Sequence, residues 1–246
     1  MKKVVVVGGT KGIGRAVVRQ LVSRGDQVAL LGRNAEDLAA SAADLAARGA
    51  STAPATVLMD LDQPESFDPA LEQAAQALGG FDTVVVTAGA FGTQDALEAD
   101  AAARDRVLTI NFTRTIQFCE AARVRLLAAG GGTLCVLGSV AGDRARKPVV
   151  LYGATKAGVA YYVNGLDARY RAAGLKAVLV KPGFVRTGMT TGLPEPPFAA
   201  DADAVAPAIV RAIDRGTPQI YVPGIWRLVM GVIRRLPRSA MRKVKF

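Results

Sequence analysis

The stretch KVVVVGGTKGIG, residues 3–14, runs four consecutive valines straight into a turn built on Gly8, Gly9, Gly12 and Gly14. β-Branched side chains favour extended backbone. A run that is apolar at every position reads as a strand covered on both faces. A helical pattern starts at Ile13. Gly8, Gly12 and Gly14 let the turn tighten, let backbone approach a pyrophosphate, and let helix pack on strand. Thr10, Lys11 and Ile13 complete the candidate phosphate-binding turn. A glycine-rich turn with no ligand is the alternative reading of the same residues.

Working outward, short β-branched runs alternate with longer alanine-rich stretches along the whole chain. Strands are predicted at 3–9, 27–32, 56–60, 82–89, 133–139, 176–183 and 219–223. Helices are predicted at about 13–24, 35–48, 66–79, 103–129, 150–173 and 202–215. Strict alternation of this kind implies crossover connections and one doubly wound parallel sheet of seven strands, an α/β fold with helices on both faces. No linker, repeat or low-complexity segment divides the 246 residues, so residues 1–223 read as a single domain.

Half of the residues are hydrophobic and 21% are charged, which suits a sizeable core and argues against disorder. No apolar run reaches membrane-spanning length. The four valines near the start are too few for a secretory signal, and a cytoplasmic location is expected. Cys119 and Cys135 sit alone in apolar segments and read as buried thiols. With no histidine and two cysteines, no metal site is expected. The net charge is +10, and no acidic residue follows Asp214, whereas Arg215, Arg227, Arg234, Arg235, Arg238, Arg242, Lys243 and Lys245 do. Positive charge confined to a tail is not a nucleic-acid surface.

Chemistry gathers at strand ends. The second predicted strand closes on Gly32 and Arg33, where an acidic residue would hold ribose hydroxyls and repel a 2′-phosphate. Arg33 there, with Lys11 in the first turn, favours NADP(H) over NAD(H). A solvated loop arginine is the alternative. Asp60 and Leu61 end the third strand, where the carboxylate can meet an adenine amino group. TAGA, residues 87–90, ends the fourth, and Ala88 and Gly89 are small enough for backbone to lie against a cofactor.

Tyr152 and Lys156 stand one helical turn apart and share a face. An ammonium beside a phenol favours phenolate, so Lys156 is expected to lower the Tyr152 pKa from about 10 toward neutrality. Such a tyrosine serves as general acid and base without histidine. Ser139, at the end of the fifth strand, is placed to donate to a carbonyl oxygen. Asn111, in the long helix before it, is placed to hold a proton-relaying water.

Taken in order, GGTKGIG, TAGA, Asn111, Ser139, YGATK (152–156) and KPGFVRT (181–187) resemble the short-chain dehydrogenase/reductase family over residues 1 to about 222. The resemblance implies a Rossmann-type fold and reduction of a ketone to a secondary alcohol, or the reverse. It implies Tyr152 as proton donor, Ser139 as carbonyl orienter, Lys156 as pKa modifier and ribose anchor, and Asn111 as water holder. Pro182, Gly183, Val185 and Thr187 match the family's nicotinamide loop, and residues about 187–203 its substrate loop. A homodimer or homotetramer through the helices at about 103–129 and 150–173 is implied as well. Two departures concern scaffolding. Val7 replaces a frequent threonine, removing a side-chain tie in the glycine turn. VTAG replaces the commoner NNAG, removing an asparagine that braces the central strand. A non-catalytic dinucleotide sensor on the same fold is disfavoured, because a pure binder needs no proton donor.

A narrower similarity concerns SVAGDRARKP, KPGFVRTGMTTGLPEPPF and the tail. These are similar to the branch that reduces the lipid-linked 2-keto pentose in decaprenylphosphoryl-arabinose formation. A small soluble ketone is the alternative substrate. Residues 224–246 form a basic, amphipathic tail in which Ile225, Trp226, Leu228, Val229, Met230, Val232, Ile233 and Leu236 share a broad helical face. Two arrangements fit it: a helix lying in a membrane surface, or a helix packed on the protein.

Overall fold

The computed structural model describes residues 1–48 and 52–243. The last three residues of the tail, Lys245 among them, lie outside the described residues. The chain runs β1 (Lys3–Val7), α1 (Gly12–Ser23), β2 (Gln27–Gly32), α2 (Ala35–Ala47), β3 (Ala55–Leu58), α3 (Phe67–Leu78) and β4 (Thr83–Val86). It continues through α4 (Gln94–Ala99), α5 (Ala101–Leu108), a π-helical turn (Thr109–Arg114), α6 (Thr115–Ala128), β5 (Gly132–Leu137) and α7 (Val150–Tyr170). The last elements are β6 (Leu175–Pro182), β7 (Val185–Arg186), β8 (Ala200–Asp201), α8 (Ala202–Arg215), β9 (Gln219–Val222), α9 (Trp226–Ile233) and α10 (Arg238–Lys243).

The main sheet has seven strands in the order β3-β2-β1-β4-β5-β6-β9, every pairing parallel. The expected doubly wound α/β fold is therefore present. The valines of β1 show why. Side chains alternate between the two faces of a strand, and Val5 and Val7 join a core with Leu71 of α3, Phe118 of α6 and Val163 of α7. Val4 and Val6 join a separate core with Val17 and Leu21 of α1 and Ile209 and Ile213 of α8. In β4, Val84 and Val86 point into the first core and Val85 into the second.

Three local features differ from the sequence expectation. The predicted helix 103–129 is two helices, α5 and α6, joined by the π turn. The hydroxyl of Thr115 reaches back to the Ile110 carbonyl at 2.8 Å, satisfying one of the acceptors that the widened turn frees. β7 and β8 form a small second sheet that was not predicted, and so does α4 a short helix. The apolar tail face is divided. Trp226, Met230 and Ile233, spaced i, i+4 and i+7, are buried against Val140, with Tyr221 and Val229 alongside. Leu228 and Val232 face outward, 69% and 64% exposed. No helix among the described residues is long and apolar enough to cross a membrane.

Candidate active site

Because neighbouring strands are parallel, the loops after β1, β4, β5 and β6 emerge on one edge of the sheet. The order also reverses there, since β1 is followed by β2 on one side and β4 on the other; such a crevice is where open α/β sheets bind ligands.

The glycine turn packs backbone to backbone on the turn after β4. Gly8 has φ +85°, and a Cβ on it would lie 2.6 Å from the Ala88 nitrogen. A Cβ on Gly14 would overlap the Gly8 carbonyl and the Thr87 hydroxyl. That hydroxyl lies 3.0 Å from the carbonyl oxygens of both Val7 and Gly8 and donates to them. The side-chain tie expected to be lost with Val7 is thus supplied by Thr87, from the turn after the neighbouring strand. Thr10, Lys11 and Ile13 lie in or next to this turn, Lys11 being the N-cap of α1.

Asn111 lies in the π turn, fully enclosed, and grips the turn after β4 from the other side. Its Nδ2 donates to the Ala90 carbonyl and its Oδ1 accepts from the Ala90 N–H, both at 2.7 Å. A Cβ on Gly89 would lie 3.1 Å from Asn111 Oδ1 and 3.6 Å from Lys156 Nζ. Gly89 is therefore the point at which this turn meets the reactive side chains.

Ser139 follows β5 and caps a short 3₁₀ turn, Val140–Gly142, its Oγ accepting from the Ala141 N–H at 3.1 Å. Its hydroxyl also lies close enough to the Tyr152 phenol to favour the phenolate. Tyr152 enters from the first turn of α7, and Lys156 follows one turn later. Lys156 is 7% exposed; its Nζ lies 5.8 Å from the centre of the Tyr152 ring and donates to the Leu137 carbonyl at 3.0 Å. The Phe91 ring meets the Tyr152 ring edge to face at 5.0 Å.

The electrostatics correct one expectation. Burial pushes the Tyr152 phenol up to about 12, with the Ser139 hydrogen bond pulling the other way, instead of Lys156 drawing it toward neutrality. Burial also draws the Lys156 ammonium down to about 8. Taking either charge out of water disfavours it, and desolvation outweighs their mutual attraction at this separation. Near neutral pH the pair is a neutral phenol beside an ammonium.

At the adenosine end, Arg33 is exposed and makes no ion pair among the described residues. The Lys11 ammonium lies 2.7 Å from Asp37 at the start of α2, a partner the sequence did not announce. Asp60 Oδ1 accepts from the Asp62 N–H at 3.0 Å, and the adjoining Leu61 is buried. After β6, the Gly183 N–H donates to the Val222 carbonyl at 2.9 Å, extending the pairing of Pro182 with Val222. The Trp226 indole lies flush against Gly183, where a Cβ would overlap it, and its N–H donates to the Phe198 carbonyl at 3.4 Å. Val185 is buried in the α8-side core, and the Thr187 methyl lies 3.2 Å from where a Gly12 Cβ would stand. The loop after β6 therefore closes back over the glycine turn. Arg186 staples the following segment through Glu195 at 2.6 Å and Asp201 at 3.1 Å.

All the predicted residues thus fall along one edge of the sheet. Sequence reasoning missed the bracing by Thr87, and missed Phe91, whose signal was an aromatic directly after TAGA. No cluster of three potential metal ligands occurs among the described residues.

The short chain dehydrogenase family model matches residues 2–197. An uncharacterized oxidoreductase of Mycobacterium tuberculosis is 32% identical over 98% of this chain and 96% of its own length. A short-chain dehydrogenase from Sphingobium yanoikuyae, solved in complex with NADPH, superposes with a TM-score of 0.81 at 23% identity, covering 97% of this chain and 98% of that one. A short chain dehydrogenase from Burkholderia cenocepacia in complex with NADP is 28% identical, with a TM-score of 0.75 over 86% of this chain and 90% of its own. With its parallel sheet, glycine turn and Ser139–Tyr152–Lys156 grouping, this chain belongs to the short-chain dehydrogenase/reductase family of NAD(P)-dependent oxidoreductases.

Proposed function

We propose that the protein reduces a ketone to a secondary alcohol with NADPH, or runs the reverse reaction, using Tyr152, Ser139, Lys156 and Asn111. The observation that carries this is the grouping of Ser139, Tyr152 and Lys156, with Lys156 and Asn111 meeting at Gly89 on the turn after β4.

The residues suit a dinucleotide. The Lys156 ammonium is buried and has three N–H groups, of which Leu137 takes one, leaving donors for ribose hydroxyls. The glycine turn presents close-packed backbone at the start of α1, where phosphate is favoured. Leu61 and Asp60 offer an apolar wall and a carboxylate for the adenine, and Ala88, packed on Gly8, keeps the turn after β4 close to the glycine turn. Val185 and Thr187, with Pro182 and Gly183, would hold the nicotinamide, which when bound supplies or accepts hydride.

On the protein side, the Ser139 hydroxyl neighbours the Tyr152 phenol, so a carbonyl oxygen placed between them would accept from both hydroxyls. As charge develops on that oxygen, the protonated phenol gives up its proton to it. The Lys156 ammonium then offsets the phenolate across a water-poor gap, where a fixed charge counts for more than in water. Asn111 anchors the turn carrying Gly89, and from the π turn it would position the water that returns a proton by way of Lys156.

Arg33, free to pair, and Lys11, shared with Asp37, favour NADP(H), and the 28% identical relative solved with NADP agrees. Each charge-assisted contact contributes about 1.5–3 kcal/mol, so NADPH should bind roughly ten- to a hundredfold tighter than NADH, and Arg33→Asp should narrow or reverse that ratio. Fluorescence titration of both cofactors measures it; tighter NADH binding by the unmodified protein refutes the assignment.

For the substrate, a hydrophobic or lipid-linked ketone such as a keto-sugar is favoured over a small soluble one. Met189 and Phe198 on the 187–203 segment are exposed, and so are Ile225, Leu228 and Val232 around α9, which Trp226 ties to Phe198. The last three, with Arg227, Arg234 and Arg235, would rest on the inner face of a membrane as a peripheral contact. Exposed Phe112, Val124 and Tyr161, on the π turn, α6 and α7, would join copies into a dimer or tetramer. Rates on ketones with and without a long apolar chain, together with sedimentation velocity, test these points.

A further inference from the structure

A second buried polar cluster lies behind the reactive side chains. Asp143 accepts from Lys181 Nζ at 2.5 Å through Oδ1 and from the Tyr221 hydroxyl at 2.6 Å through Oδ2. The Asp143 and Lys181 side chains are 2% and 7% exposed. The Lys181 ammonium also stands 5.6 Å from the centre of the Tyr221 ring. Among the described residues none of the three side chains hydrogen-bonds Tyr152 or Ser139, and a buried ion pair is a poor way to gain stability, because desolvation consumes most of the attraction. Its placement suggests what it does instead.

Asp143 closes the 3₁₀ turn that Ser139 caps: its N–H donates to the Val140 carbonyl at 3.1 Å, and the Gly142 N–H donates to Ser139 at 3.1 Å. That turn is pressed onto α7. A Cβ on Gly142 would lie 2.7 Å from the Ala157 nitrogen, and one on Gly153 would lie 2.8 Å from the Ala141 carbonyl. The contacts fall on the turns of α7 that carry Tyr152 and Lys156. They stop the Ser139 turn from moving toward α7, while its hold on β6 and β9 comes from elsewhere. Lys181 is the residue before Pro182–Gly183, and Tyr221 is the residue before Val222, which holds Gly183. One carboxylate therefore fastens the Ser139 turn to β6 and β9 at the root of the nicotinamide loop. Val140, in the same turn, packs on Trp226 and Met230, and Arg144 donates to the Leu236 carbonyl at 2.7 Å, so the clamp continues into the C-terminal helices.

We propose that Asp143 is a positioning residue: with Lys181 and Tyr221 it fixes the distance between the Ser139 hydroxyl and the Pro182–Thr187 loop. This rests on the catalytic reading given above. Tyr221 is a neutral donor in this role, its pKa raised to about 12 by burial and by the Asp143 carboxylate. A displacement near 1 Å between reacting groups costs on the order of a hundredfold in rate, so a loosened clamp acts on turnover before it acts on folding.

The test is the paired replacement Asp143→Leu with Lys181→Met, which keeps the site filled and leaves no lone buried charge, alongside the milder Tyr221→Phe. Thermal unfolding, kcat and KM for an accepted ketone, and amide exchange of residues 139–143 are read on each. The expected result is a melting temperature near that of the unmodified protein, faster exchange at 139–143, and a kcat at least about tenfold lower, with Tyr221→Phe intermediate. If the paired variant keeps its melting temperature, its slow exchange and its kcat, the cluster is structural filling and the proposal is overturned. Should the paired variant not fold, Tyr221→Phe decides alone: unchanged exchange and kcat overturn the proposal. If the unmodified protein reduces no ketone with either cofactor, the catalytic reading fails, while the exchange arm still reports on the clamp.

Discussion

Lys156 offers the sharpest test by pH. Burial draws its ammonium down to about 8 while holding the Tyr152 phenol near 12. Between about pH 7 and about pH 9, the charged fraction of a group with that pKa falls from roughly nine-tenths to roughly one-tenth. Tyr152 stays protonated throughout, so proton supply is constant and only the charge that offsets the nascent phenolate is lost. The sign follows: kcat/KM for ketone reduction should fall about tenfold over that interval, with a midpoint near 8. In the reverse direction the phenolate must form first, so alcohol oxidation should gain from rising pH until Lys156 is neutral. Initial rates of NADPH oxidation in a constant-ionic-strength buffer series give the profile, since kcat/KM reports the free protein. Lys156→Arg keeps its charge across the range. It should be slower at every pH, without the descent near 8. A reduction profile flat to about pH 9.5, or one rising through 8, refutes the reasoning.

Thr87→Val removes the hydroxyl that ties Val7 and Gly8 and keeps its shape. Leaving those acceptors short should cost about 1–3 kcal/mol, with a melting temperature lower by about 2–4 °C per kcal/mol and weaker NADPH binding; an unchanged dissociation constant would show that the tie is idle. Met230 is fully buried, so Met230→Ala should cost about 2–5 kcal/mol, measured by denaturant unfolding. Leu228 is 69% exposed, so Leu228→Ser should change stability by less than about 0.5 kcal/mol. The same change should weaken sedimentation with anionic vesicles if the outer face of α9 meets lipid, and vesicle binding equal to that of the unmodified protein would remove that role.

Much of this was legible because its physics is local. The valines of β1 and the glycines after them announce a both-faces-covered strand entering a tight turn, and the i, i+4 spacing of Tyr152 and Lys156 holds in any helix. What escaped depends on partners distant in sequence. The pattern over 103–129 shows no proline and no glycine before residue 130, so nothing marked the π turn that aims Asn111 at Ala90. The direction of the Tyr152 shift depends on how deeply the fold encloses it, which spacing does not encode. The tail reads as one apolar face by periodicity, yet α9 buries Trp226, Met230 and Ile233 against the protein, with Val229 alongside, and turns Leu228 and Val232 outward. Asp143 lies 38 residues from Lys181 and 78 from Tyr221, so the cluster exists only once β5, β6 and β9 are neighbours.

The central claim is that Tyr152 supplies the proton for carbonyl reduction. Its most direct measurement compares Tyr152→Phe with the unmodified protein in single-turnover reduction of an accepted ketone, with NADPH binding titrated in parallel. A general acid contributes about 10² to 10⁴ in rate. The mutant should therefore bind NADPH within about threefold of the unmodified protein and turn over at least about a hundredfold more slowly. A mutant that reduces the ketone at the unmodified rate would contradict the account.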